Sequence, residues 1–143
     1  MTLVTKIIDN AEEMMELGGL IAGKVVPPFC IHLTGQIGAG KTTFARGFLK
    51  AMGINGPVKS PTFTLVETYS RGDVKVNHLD LFRIDSPREL EFIGFDDYLD
   101  SKSILLIEWP ESVSGSLPEP DLTIKIEVDG FSRRIQIDKN LAP

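Results

Sequence analysis

Two stretches of the chain are mostly apolar, and each breaks off at polar chemistry. Residues 29–34, Phe-Cys-Ile-His-Leu-Thr, run into a glycine-rich segment; residues 104–107, Ile-Leu-Leu-Ile, end at Glu108 and Trp109. The first reads as a buried strand, and the four consecutive aliphatic residues of the second predict a strand buried on both faces, as in the middle of a parallel sheet. Other segments alternate and read as half-buried strands: residues 63–69, 74–83, 122–128 and 132–137. Residues 3–8 read as a first strand, and Arg71-Gly72-Asp73 and Asp129-Gly130 as hairpin turns. Period two places Val74, Val76, His78 and Asp80 on one face. Helical spacing marks residues 11–22 behind an Asn10 N-cap, with Met14, Leu17 and Ile21 for the core. A second helix spans residues 41–52, with Phe44, Phe48 and Ala51 or Met52 inward and Gly53 as its stop. Ser86-Pro87-Arg88-Glu89 has the pattern of a capping box opening a short helix that ends near Gly94, with another turn after it. Residues 114–120 read as a loop.

Between the first buried strand and the second helix stands Gly35-Gln36-Ile37-Gly38-Ala39-Gly40-Lys41-Thr42, the Walker A spacing of Gly, four free positions, Gly, Lys and Ser or Thr. Strand, loop and helix follow in the required order. Such a loop turns backbone N–H groups onto phosphate, and the helix N-terminus adds about 0.3–1 kcal/mol for an anion. Lys41 supplies the reach to the β and γ phosphates, and the Thr42 hydroxyl is placed to ligate Mg²⁺. Glu108, closing the other buried strand, then takes the Walker B position as a second Mg²⁺ ligand, directly or through water. Asp80 is a candidate base or water ligand, the alternative being a surface Asp paired with Arg83. Thr62, with Ser60 second, is a candidate hydroxyl for the metal or γ-phosphate, the alternative being ordinary Ser-Pro-Thr turn chemistry. His78 reads as a hydrogen-bonded structural histidine. The expected fold is α/β, a P-loop NTPase-like three-layer sandwich with a central mixed, partly parallel sheet, flanking helices and a C-terminal β-hairpin.

Length and charge narrow the class. The 143 residues favour a single domain, 1–143. No run of about 18 apolar residues and no secretory leader is visible, so the expectation is a cytoplasmic protein with no membrane contact. The single cysteine, Cys30, reads as packing. Net charge is −5, and residues 83–121 hold ten acidic against three basic side chains. Nonspecific nucleic-acid affinity comes from cations on phosphates, so no DNA partner is expected, and any RNA would be carried by a partner protein. GTP is disfavoured because no Asn-Lys-x-Asp segment is present. A small-molecule kinase and a nucleotide-dependent binding module with negligible turnover remain as alternatives.

In combination and order, the GxxGAGKTT loop from Gly35 to Thr43, Val58-Lys59-Ser60-Pro61-Thr62, His78-Leu79-Asp80-Leu81-Phe82-Arg83, the Glu-Leu-Glu-Phe stretch at residues 89–92 and Ile107-Glu108-Trp109-Pro110 resemble the TsaE (YjeE) family of small P-loop ATPases. Two positions depart: Gln36-Ile37 stands where the family usually has Asp-Leu, and Phe82 where it often has Tyr. The resemblance implies an ATPase of threonylcarbamoyladenosine (t6A) formation on tRNA, slow alone, turning ATP into ADP and phosphate with the TsaD and TsaB proteins. It reaches tRNA only through that complex. It further implies Lys41, Asp80, Glu108 and Thr62 as catalytic, Thr42 and Glu108 on Mg²⁺, and Gly38, Ala39, Gly40, Lys41, Thr42 and Thr43 around the phosphates. Asn10 and Arg133 are the expected adenine contacts.

Overall fold

The computed structural model describes residues 2–54 and 65–139; the expected Ser60-Pro61-Thr62 turn lies outside them. The strands are β1 (Thr2–Ile8), β2 (Phe29–Thr34), β3 (Val66–Arg71), β4 (Val74–Asp80), β5 (Ser103–Glu108), β6 (Leu122–Asp129) and β7 (Ser132–Lys139). The helices are α1 (Ala11–Ala22), α2 (Lys41–Ala51) and α3 (Pro87–Phe92), with 3₁₀ turns at Phe95–Tyr98 and Pro110–Ser116. One mixed sheet runs β1-β7-β6-β2-β5-β4-β3. Its centre is parallel, β6 to β2, β2 to β5 and β5 to β4. Antiparallel pairs flank it: β3 on β4 at one edge, β7 on β6 and β1 on β7 at the other.

The two strands read as buried became the middle of that sheet. Every residue of β5 is buried, as are the four inner residues of β2. Two apolar layers cover the faces. On one, α1 and α2 pack Met14, Leu17, Phe44 and Phe48 against Ile31, Leu33, Ile104 and Leu106. On the other, Leu90 of α3 and Phe95 and Val113 of the 3₁₀ turns cover Leu79, Leu81, Leu105 and Ile107. The expected sheet flanked by helices is therefore observed. Details differ: residues 110–116, which have no helical or strand periodicity, form 3₁₀ turns where a loop was expected over residues 114–120. Helix α2 stops at Ala51, which is exposed; Met52 after it packs half-buried against the core, and Ala45 and Leu49 fill the inner face beside the two phenylalanines. The β6–β7 turn is formed by Gly130 and Phe131, since Asp129 already pairs with Ser132.

Helices α1 and α2 approach backbone to backbone. A Cβ on Gly18 would lie 2.3 Å from the Phe44 carbonyl oxygen, and one on Gly47 would lie 2.1 Å from that of Met15. Both distances are far inside van der Waals contact, so only glycine fits.

At the opposite end of β2 from the glycine-rich loop, the Cys30 N–H donates to Asp121 Oδ2 at 2.8 Å and the Asp121 N–H donates back to the Cys30 carbonyl at 2.8 Å. This reciprocal pair fixes the start of β6. Burial, aided by the Asp121 charge, pushes the Cys30 thiol up to about 12. The native thiol is therefore expected to be inert to a disulfide reagent at about pH 8 and to titrate as one equivalent after denaturation. A raised folded pKa stabilises the native state fully below the ordinary thiol value of 9.0 and loses that contribution as pH climbs toward 12. Reaction of the native protein at the rate of the denatured one would contradict the burial.

Candidate nucleotide-binding site

The parallel strands β2, β4 and β5 end at one edge of the sheet, and the site is built there. From Thr34 the chain enters the glycine-rich loop, whose backbone demands explain its composition. Gly40 has φ 119° and caps α2 with no side-chain hydrogen bond, leaving the first N–H groups of the helix open to an anion. Gly35 has φ 147°, and a Cβ there would meet the Ile126 carbonyl oxygen at 2.6 Å. The loop is thus seated against β6.

Register sets the carboxylates. Asp80 pairs with Glu108 across β4 and β5, and Leu33 pairs with Glu108 across β2 and β5. Paired residues of parallel strands share a face, so both carboxylates lie on the α2 side of the sheet. Both are buried, Asp80 at 6% exposure and Glu108 at 4%. Asp80 is therefore no surface carboxylate; its Oδ1 accepts the Phe82 N–H at 3.0 Å.

Lys41 opens α2 beside them and is only 5% exposed. Its Nζ donates to the Gly35 carbonyl at 2.5 Å and sits 3.7 Å from the centre of the Trp109 ring. Burial holds the ammonium below the usual lysine pKa, while the charges of Glu108, Asp80 and Glu111 draw it back up. Trp109 carries φ 56°, a conformation costing a bulky residue about 1–3 kcal/mol. Its ring meets Phe82 at 4.9 Å between centroids, so the positive φ sets an aromatic wall over the lysine.

Two cavities share Gly38, Gly40 and Thr43. The first, about 380 Å³, is lined by Lys41, Thr42, Asp80, Arg83, Glu108 and Trp109 among others. The second, about 170 Å³, continues past Ala39 to Asn10, Met14, Phe131 and Arg133. A phosphate chain fits the first, and a group attached to it would reach the second. The structure thus brings together Gly38, Ala39, Gly40, Lys41, Thr42, Thr43, Asp80 and Glu108, with Asn10 and Arg133 at the far end. Thr62 lies outside the described residues.

Asn10 and Arg133 are engaged there already. Asn10 Oδ1 caps α1 by accepting the Glu13 N–H at 2.8 Å. The Arg133 guanidinium donates to the Ala39 carbonyl at 3.0 Å and to the Ser132 carbonyl at 3.0 Å, tying the hairpin to the loop. Sequence reasoning missed Phe131, which is fully exposed at the hairpin tip and lines the second cavity. A large aromatic directly after a turn glycine was its signal.

The family model described as threonylcarbamoyl adenosine biosynthesis protein TsaE matches residues 8–135. The chain belongs to the TsaE family. Among similar proteins, the tRNA threonylcarbamoyladenosine biosynthesis protein TsaE of Haemophilus influenzae is 47% identical over 107 residues, covering 75% of this chain and 68% of the relative. The protein of the same name in Bacillus subtilis is 36% identical over 125 residues, covering 87% and 78%. The crystal structure of Bacillus subtilis YdiB superposes with a TM-score of 0.80 at 29% identity, covering 95% of this chain and 84% of that one. For a TsaE chain, the site just described lies wholly within the matched span. Among the described residues, no helix is long and apolar enough to cross a membrane.

Proposed function

We propose that this chain is a Mg²⁺-dependent ATPase of tRNA t6A biosynthesis that hydrolyses ATP to ADP and phosphate in association with the TsaD–TsaB complex. The supporting observation is the convergence of Lys41, Thr42, Asp80 and Glu108 on one cavity at the N-terminus of α2. The relatives named for t6A biosynthesis support the pathway. Work on tRNA in turn makes the cytoplasm the expected location.

The donor set fits magnesium. The Thr42 hydroxyl and the Glu108 and Asp80 carboxylates are all hard oxygen donors. Among the described residues no cluster of three His, Cys, Asp or Glu could cage a metal alone. That too suits Mg²⁺, which is held by one or two carboxylates together with substrate phosphates. Thr42 and Glu108 would hold the ion, which when bound neutralises charge on the phosphate oxygens.

The chain's own groups do the rest. Loop N–H groups and Lys41 bind the phosphates, and Trp109, with Phe82 against its ring, walls that end of the cavity. Asp80 has one oxygen committed to the Phe82 N–H. Its other oxygen orients the attacking water and accepts its proton. Thr62 would add a hydroxyl to the γ-phosphate. Phe131 offers an apolar face to the base, and Arg133 braces the loop.

Phosphate release, measured with and without TsaD and TsaB, tests the reading. Slow turnover alone and acceleration by the partners are expected, because a residue supplied in trans can add about 10³–10⁵ in rate to an incomplete P-loop site. Glu108→Ala should abolish turnover in both conditions. Fast turnover indifferent to the partners, or phosphate transfer to an added nucleoside or sugar, would overturn it.

A further inference from the structure

We propose that His78 is the positioning residue for Glu108, holding its carboxylate in the orientation that receives the metal–nucleotide complex. The inference rests on Glu108 being a metal ligand, as proposed above. His78 is completely buried, and its Nε2 lies 2.5 Å from Glu108 Oε2. Period two on β4 puts it one step below Asp80 on the same face, and its register partner is Leu106, one step below Glu108. The imidazole therefore stands beneath the two carboxylates, between them and the apolar layer under α2.

The chemistry of the contact is directional. A carboxylate oxygen accepts, and Nε2 is the ring nitrogen placed to donate to it. Nδ1 has no partner among the described residues, so the contact with Glu108 is the ring's one hydrogen bond there. One Glu108 oxygen is committed to the ring, and the other is left to face the cavity. His78 is completely buried beneath the carboxylate, so a side chain that fills its space leaves no room for a water in the donor's place. A Glu108 without His78 is free to turn toward the Lys41 ammonium, whose pKa already responds to its charge. Lys41 and the metal site would then compete for the same carboxylate. Partners that orient a metal's ligands in this way typically carry about 10–100-fold in metal affinity.

The test uses Mn²⁺ as the probe, its free concentration read by electron paramagnetic resonance in the presence of ADP. His78→Met, which fills the space and removes the donor, is expected to weaken Mn²⁺ binding about 10–100-fold. His78→Gln, whose amide nitrogen reaches about as far as Nε2, should restore it to within about threefold. His78→Asn, too short to reach Glu108, should behave like Met and takes its place if Met does not fold. ADP affinity measured in EDTA should be unchanged in all three. If Met and Asn bind Mn²⁺ like the unaltered protein, or if Gln is as impaired as Met, the positioning role is wrong. Glu108→Gln separates the two readings. If that substitution leaves Mn²⁺ binding intact, the metal assignment itself fails; if it weakens binding and His78→Met does not, only the role of His78 fails.

Discussion

Lys41→Ala is expected to lower nucleotide turnover by about 10²–10³-fold, the usual cost of removing one charge-stabilising donor from a preorganised site. The ammonium is buried at the start of α2, with the loop carbonyl of Gly35 and the face of Trp109 holding it between them. Of its three N–H donors, the Gly35 carbonyl uses one. Stability should move little, or even upward, because burial depresses the Lys41 pKa and so marks the folded state as a poor host for that charge. Two measurements check this together: phosphate release, and the thermal midpoint. Trp109, the only tryptophan, lines the same cavity, so its fluorescence should follow nucleotide binding. Turnover within about threefold of the unaltered protein would mean that the cavity over Lys41 is not where phosphate is handled.

Gly47→Ala should be the most damaging small substitution in the scaffold. By intrinsic propensity alone, alanine would stabilise a helix interior by about 0.8–1 kcal/mol. Here its methyl would sit 2.1 Å from the Met15 carbonyl oxygen, backbone that cannot rotate aside. The helices must separate, and overpacking of this kind costs about 1–3 kcal/mol, occasionally more. Urea unfolding should therefore show a lower midpoint. Nucleotide affinity should also fall, because α1 bears Asn10 and α2 bears Lys41 and Thr42. Gly115→Ala is the control: nothing lies within 4 Å of its new methyl, so a change within about 0.5 kcal/mol is expected. A Gly47→Ala protein as stable as the parent would show that α1 and α2 have room to shift.

These two cases mark where sequence was and was not readable. Strand β5 was legible because total burial erases alternation, the phosphate loop because its glycines are spaced by backbone need, and β2 because it runs straight into that loop. Asp80 and Glu108 were legible as ends of strands, and parallel pairing set them side by side. The His78 contact was not, since alternation along one strand says nothing about which residue of a neighbour lies opposite. Gly18 and Gly47 were passed over because a glycine inside a helix reads as weakness until the second helix is seen against it. Pairing of β1 with β7 was equally hidden, joining segments more than 120 residues apart such as Ile8 and Arg133.

That last pairing bears on how the protein is made. Synthesis proceeds at about 5–20 residues per second, so Arg133 follows Lys41 out of the ribosome by roughly 5–20 s. Through that interval Asp80, Glu108 and Trp109 join the phosphate loop one after another, while the far cavity has one wall, Asn10 and Met14, and lacks the other, Phe131 and Arg133. Strand β7, the last of the described strands, docks between β1 and β6. The second cavity is thus closed only once Arg133 has been made, and a chain terminated before it would lack that cavity's outer wall.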